Sequence, residues 1–270
     1  MTNKFLLFTA FVAVTTLVGC QNGGLSAGFD DAFKTDTIVF EKDTTNAKVR
    51  ILVDYPTSGP DNLRASVCDY ISEMLGGTFG KELTNGKIVI DYYGQSILEN
   101  LQDEYNELED DAPLGFFYAN IIRLAENAEK YVTYTDCHES YEGGAHGIGY
   151  DSGVTFRKSD GMLISQCLFN DKVASEDFRQ LLVAGLIRYF NNYGEEEIDS
   201  EEKLSEYLLT DTKDLRLPEW PFPYLTRNGV VVCYSPYDIA PYSVGKPTFT
   251  IPYDVAMPYL TEEAKALIEP

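Results

Sequence analysis

The sequence predicts an α+β fold: antiparallel sheets with helices packed on one face, in two subdomains. Strand-like segments come in adjacent pairs around turn residues, helix-like segments fall between them, and no regular βαβ rhythm recurs. Glycine is densest between Tyr141 and Asp151, which marks a seam between an N-terminal subdomain of residues 37–141 and a C-terminal one of residues 142–270.

In order along the chain, Val49–Tyr55 is apolar and β-branched and reads as a strand. Leu63, Val67, Ile71 and Met74 recur at helical spacing until Gly76-Gly77 stops them. Lys87–Tyr92 reads as a second short strand, followed by a helix with Ile97, Leu101, Tyr105 and Leu108 on one face and carboxylates on the other. Phe116–Leu124 and Tyr131–Tyr141 read as long strands joined around Glu126–Glu129. Gly153–Arg157 and Met162–Cys167 form a hairpin pattern about Ser159-Asp160-Gly161. Ser175 can cap a helix striped by Phe178, Leu182, Leu186 and Phe190, with Gly194 as its stop. Ser200–Leu209 is a shorter helix, and the prolines of Leu217–Pro223 rule out regular structure there. Asn228-Gly229 is a hairpin turn before Val230–Tyr234, and Pro252–Ile268 is weakly helical.

Before all of this stands a targeting segment. Lys4 precedes an apolar run from Phe5 to Val18, which ends in Leu17-Val18-Gly19-Cys20. A basic start, a short apolar stretch and a small residue before the cut describe a secretory signal, residues 1–19. The run falls short of the ~20 residues a spanning helix needs. Leu-Val-Gly-Cys resembles the lipobox of bacterial lipoproteins, which implies lipid on Cys20; more than one acyl chain anchors a protein stably. Residues 20–36, rich in glycine and small polar side chains, read as a flexible tether. Gln21 is not the aspartate that retains many such lipoproteins at the inner membrane, so the resemblance implies an outer-membrane anchor facing the periplasm.

The net charge of −22 excludes nucleic acid as a partner, since its binders carry a basic footprint, and favours a cationic one. Cys68, Cys137, Cys167 and Cys233 are far apart with no Cys-x-x-Cys, which excludes a zinc ribbon; their apolar neighbours favour buried thiols, and three pairings are open to them. His138 and His146 are the only histidines, and their spacing matches no metal motif, so no metal or other cofactor is expected. Gly24-Leu25-Ser26-Ala27-Gly28 has the form of a nucleophile elbow but lacks the strand and helix that make one. Cys137 adjoins His138, but neighbours on a strand point to opposite faces, so they form no catalytic pair. No catalytic residue is therefore assigned. Nineteen tyrosines, many between Trp220 and Tyr259, offer rigid amphipathic contact area of the kind enriched in interfaces.

Tyr141-Glu142-Gly143-Gly144-Ala145-His146, Gly161–Phe169 and Tyr234-Ser235-Pro236-Tyr237-Asp238-Ile239-Ala240-Pro241-Tyr242-Ser243-Val244-Gly245 carry a resemblance. They resemble, in order, the landmarks of a bacterial extracytoplasmic domain family of largely unknown function with a Tyr-x-Gly-Gly-Ala-His signature. The resemblance implies a role at the cell envelope, in binding. Similar domains form the lysozyme-binding extracellular part of an anti-sigma factor and the region ahead of a peptidoglycan deacetylase. The candidate ligand-binding residues are Tyr141, His146, Tyr237 and Tyr242. The expected partners are the membrane, through lipid on Cys20, and a cationic protein such as lysozyme. The rival expectation is an enzyme or accessory carbohydrate-binding module acting on peptidoglycan.

Overall fold

The computed structural model describes residues 32–108, 115–193 and 196–268. The expected signal peptide, Cys20, most of the tether and Gly194 lie outside the described residues.

Two strands open the fold, β1 (Lys34–Asp43) and β2 (Ala47–Ser58), antiparallel with Phe40 opposite Ile51. Val49, Ile51, Val53 and Tyr55 of β2 alternate onto one face and are buried. That face is covered by α1 (Asp61–Met74) and α2 (Gly86–Glu107). The chain then returns through β3 (Phe116–Asn127), β4 (Tyr131–Tyr141) and β5 (Ile148–Arg157), completing a sheet of order β1-β2-β3-β4-β5. The α+β class holds, with one pair, β2–β3, parallel rather than antiparallel. Parallel neighbours need a long crossover, and α1 with α2 supplies it.

Three local expectations are corrected. Lys87–Tyr92 is the first turn and a half of α2, not a strand: Asn85 Oδ1 accepts from Ile88 N at 3.2 Å, and Val89, Ile90, Tyr93, Leu98 and Leu101 are buried with helical period. Met162–Cys167 is not a strand either. It makes a single bridge, Phe156 with Leu163, before Ser165 Oγ accepts from Thr155 N at 2.8 Å and a 3-10 turn begins. Finally, Lys34–Asp36, expected as the end of the flexible tether, open β1, an edge strand with no visible strand pattern because its residues, Phe40 apart, are at least partly exposed.

In the C-terminal part, Ser175 Oγ accepts from Phe178 N at 3.3 Å and caps α3 (Glu176–Tyr193), as expected; α4 (Glu201–Ser205) follows, capped by Ser200. Strands β6 (Tyr224–Thr226), β7 (Gly229–Cys233) and β8 (Thr248–Ile251) form an antiparallel sheet of order β6-β7-β8 with the turn at Asn228-Gly229. Phe249 lies over Gly185, so α3 backs this sheet, and α5 (Tyr253–Ala256) and α6 (Glu262–Ile268) end the fold. Leu225 bonds through its backbone to Thr133 Oγ1 and Thr155 Oγ1, which sets β6 against the face of β4 and β5 opposite the helices. The expected boundary at residues 141–142 falls in the turn joining β4 to β5. The hydrophobic core parts into a cluster that runs to Phe156 and one that starts with Tyr131 and Ile164. No helix among the described residues is long and apolar enough to cross a membrane.

Candidate functional site

The turn between β4 and β5 is built by its glycines. Gly143 and Gly144 sit at φ 99° and 89°, a region that side chains with a Cβ avoid. Tyr141 Oη donates to Gly144 O at 3.1 Å and ties the turn to its strand. The turn presents His146, whose Nδ1 donates to Gly147 O at 2.8 Å. A carbonyl only accepts, so this bond puts a proton on Nδ1, and in the neutral ring Nε2 is the acceptor.

Opposite stands the segment after β7. Tyr234 N donates to Pro247 O, Ser235 N to Asp238 Oδ2, and Tyr189 Oη to Val244 O, which fix the loop at both ends. Tyr237 has φ 72° and is the sole non-glycine residue at positive φ among those described. Its hydroxyl reaches His146 Nε2 at 3.3 Å. Tyr242 stacks on the His146 ring at 4.0 Å and 20°, and Tyr237 and Tyr242 lie 5.8 Å apart. Three of the four candidate residues thus meet as one platform, with Tyr237 55 % exposed and His146 exposed. Tyr141 is beside it but faces elsewhere, stacked on Phe117 and edge-on to Phe116.

The platform edges a cleft of about 460 Å³ lined by Phe117, Glu139, Ile148, Pro236, Tyr242 and Lys246 among others. Ile148 is 69 % exposed on this rim, a large apolar group with no core role. Lys246 also lines a second cleft of about 560 Å³ with Cys137, Asp151, Tyr189, Tyr193 and Tyr224. There Lys246 Nζ donates to Asp151 Oδ1 at 2.6 Å. Burial would lower the lysine's pKa, but the hydrogen bond and charge of Asp151 outweigh it and the net shift is upward, so the ammonium persists. Lys246 had no local signal in the sequence; it is found only by the pairing of residues 95 apart.

On the opposite, helix-covered face of the sheet lies a polar group that the sequence did not reveal. Asn120, His138 and Tyr150 are cross-strand partners, as are Asp136 and Ser152, and all share that face. Asp136 is 1 % exposed, with the Tyr150 hydroxyl as a polar neighbour that offsets its burial only in part, and Asn120 Oδ1 and His138 Nδ1 are buried without partners. Burial pushes the Asp136 carboxyl up to about 7 and the His138 imidazole down to about 4. His138 stacks on Tyr150 at 4.8 Å and is not brought to His146. Cys137 points to the other face from His138, and burial drives its thiol up to about 12, far from a reactive thiolate. Among the described residues no three His, Cys, Asp or Glu side chains are grouped to hold a metal. The four described cysteines are free; Cys68 and Cys233 are buried, Cys137 is half-buried and Cys167, against expectation, is exposed.

The chain's matches agree with this architecture. A search of curated proteins finds no match. The chain is similar in structure to a DUF3298 family member from Bacteroides fragilis, at 20% identity and TM-score 0.67, covering 88% of this chain and 98% of that one. A DUF3298 family protein from Pseudomonas aeruginosa is similar at 16% identity and TM-score 0.57, again over 88% and 98%. Residues 179–254, which hold Tyr237, Tyr242 and Lys246, match the family model described as a protein of unknown function, DUF3298.

Proposed function

We propose that this chain is a lipid-anchored envelope protein whose folded part is a non-catalytic binding domain, with the His146–Tyr237–Tyr242 platform as its docking surface. The observation that carries the reading is the platform itself: three ring side chains from two distant segments stack at the surface beside a cleft, instead of entering the core. Rigid aromatic groups with few rotamers bind at low entropic cost. A non-catalytic role fits the titrating groups, since the exposed imidazole is engaged by a tyrosine hydroxyl and a backbone carbonyl, and the thiol in the second cleft is held protonated.

The partner is a cationic protein, drawn by the net charge of −22 and met at the cleft by Glu139. Lysozyme is the probe, as the resemblance to a lysozyme-binding anti-sigma domain suggests. The intact chain in detergent should retain lysozyme at low salt and less at moderate salt, because exposed charges are screened. Tyr237→Ala and Tyr242→Ala should each weaken retention about tenfold, in keeping with buried aromatic anchors. Absence of retention at both salt concentrations excludes lysozyme as partner; retention that neither variant weakens excludes the platform.

A further inference from the structure

Away from the platform, Trp220 stands 42 % exposed over a groove of about 440 Å³. Leu217, Pro218, Tyr234 and Ile239 give this groove apolar walls, while Arg216, Asp214, Glu219 and Asp238 give it a polar rim. We propose that the groove binds a neutral saccharide, stacked on Trp220 and hydrogen-bonded by Arg216 and the rim carboxylates.

The indole comes first. Its one ring contact is with Tyr150, at 4.7 Å and 74°. An edge-to-face contact covers at most one face of either ring, so an indole face remains for a ligand. The neighbouring Pro221 and Pro223 are buried, which holds the indole in place before any ligand arrives. Apolar C–H faces of pyranose rings pack on such a surface for the same reason that other apolar groups do.

The rim then discriminates between ligand classes. A cation would meet the Arg216 guanidinium, and an anion would meet three carboxylates. A hydroxyl both donates and accepts, so a neutral polyhydroxyl ligand uses both kinds of group while its apolar ring face uses the indole. Arg216 is oriented for this: its Nη1 donates to Lys213 O at 3.1 Å and Leu215 O at 2.7 Å, and its own carbonyl accepts from Tyr234 Oη at 2.7 Å. It makes no ion pair with any described carboxylate, although three line the same groove, so donors remain on the side away from the backbone. Asp238 is steadied by Ser235 N at 2.8 Å. The groove is therefore preformed, which limits the ordering cost of binding.

Trp220 is the only tryptophan in the chain, so indole emission reads this groove alone. The intact chain should be titrated with chitotetraose, with tetralysine and tetraglutamate as charged controls. A saturable emission change with chitotetraose, at a concentration where neither control gives one, is the expected result. Arg216→Ala and Glu219→Gln should each raise the half-saturation concentration about tenfold, the effect of losing one charge-assisted hydrogen bond. Calorimetry on Trp220→Ala, with folding checked by circular dichroism, should show no heat of binding. The proposal is overturned if chitotetraose gives no saturable change up to millimolar concentration. It is also overturned if tetralysine or tetraglutamate gives the larger response, or if both rim variants bind as the parent does.

Discussion

Asp136 and His138 are two residues apart on β4, side by side on its helix-covered face, and burial moves them in opposite directions. The folded carboxyl titrates near 7, above the unfolded value of about 3.9, so the fold binds that proton more tightly. Its contribution to stability is full below about pH 4 and is lost as pH rises through 7, a change on the order of 4 kcal/mol. His138 titrates near 4, below its ordinary 6.5, so its contribution grows as pH rises from 4 to 6.5. Between those limits the two slopes oppose each other. Asp136→Asn should therefore leave a fold that gains stability from pH 4 to 6.5, and His138→Asn one that loses it from pH 4 to 7; urea midpoints across pH read both. Equal, flat profiles in the two variants would contradict the burial argument. Tyr237 supports a second test. At φ 72° it costs about 1–2 kcal/mol relative to glycine. Tyr237→Gly and Tyr237→Ala both lose the ring, but only glycine relieves the backbone. Thermal unfolding should rank Tyr237→Gly above Tyr237→Ala by about 1 kcal/mol, with both equally defective in partner binding.

Helix α2 shows how an element is decided by what it packs on. Ile88-Val89-Ile90 suits a strand as well as a helix when read alone. Two contacts settle it: Gly86 passes over the Tyr55 ring and Gly94 over the Phe40 ring, where an added Cβ would lie 2.5 and 2.3 Å from ring carbons. Gly94→Ala raises helix propensity by about 1 kcal/mol. It should nonetheless destabilise the protein by about 1–3 kcal/mol in chemical denaturation, because the core must give way. Asn85→Ala should cost about 1 kcal/mol through the lost cap. These contacts also explain what was legible in the sequence. The helix after Ser175 and the strands ending at Leu124 and Tyr141 carried their own periodicity, so reading along the chain was enough. The start of α2, the strand β1 and the parallel pairing of β2 with β3 depend on partners distant in sequence, and no local pattern states them. The same division runs through the candidate site. Gly143-Gly144 and His146 were visible as a glycine turn, and Tyr237 and Tyr242 as part of a tyrosine-rich segment. Their meeting across 91 residues, and the Asp151–Lys246 pair beside them, follow only from the fold.

At the scale of the whole molecule, charge and anchorage act together. A net charge of −22 repels anionic headgroups and other acidic surfaces while raising the local concentration of cations. Charge of this sign does not draw the protein to an anionic membrane surface, and a lipid anchor would supply that attachment instead. Under the proposed function that lipid would sit on the thiol of Cys20, after the lipobox-like Leu17-Val18-Gly19, and the residues that follow are small and polar. If Cys20 carries acyl chains, Cys20→Ser should shift the protein from the membrane pellet to the soluble or uncleaved fraction, and mass spectrometry of the parent should find a diacylglycerol adduct on the N-terminal cysteine peptide. Lysozyme retention by the solubilised variant should equal that of the parent, because the platform is built from His146, Tyr237 and Tyr242 and the substitution leaves these unchanged. A parent that fractionates as soluble, with an unmodified thiol, would remove the anchor from the proposal and leave the binding surfaces to be tested separately.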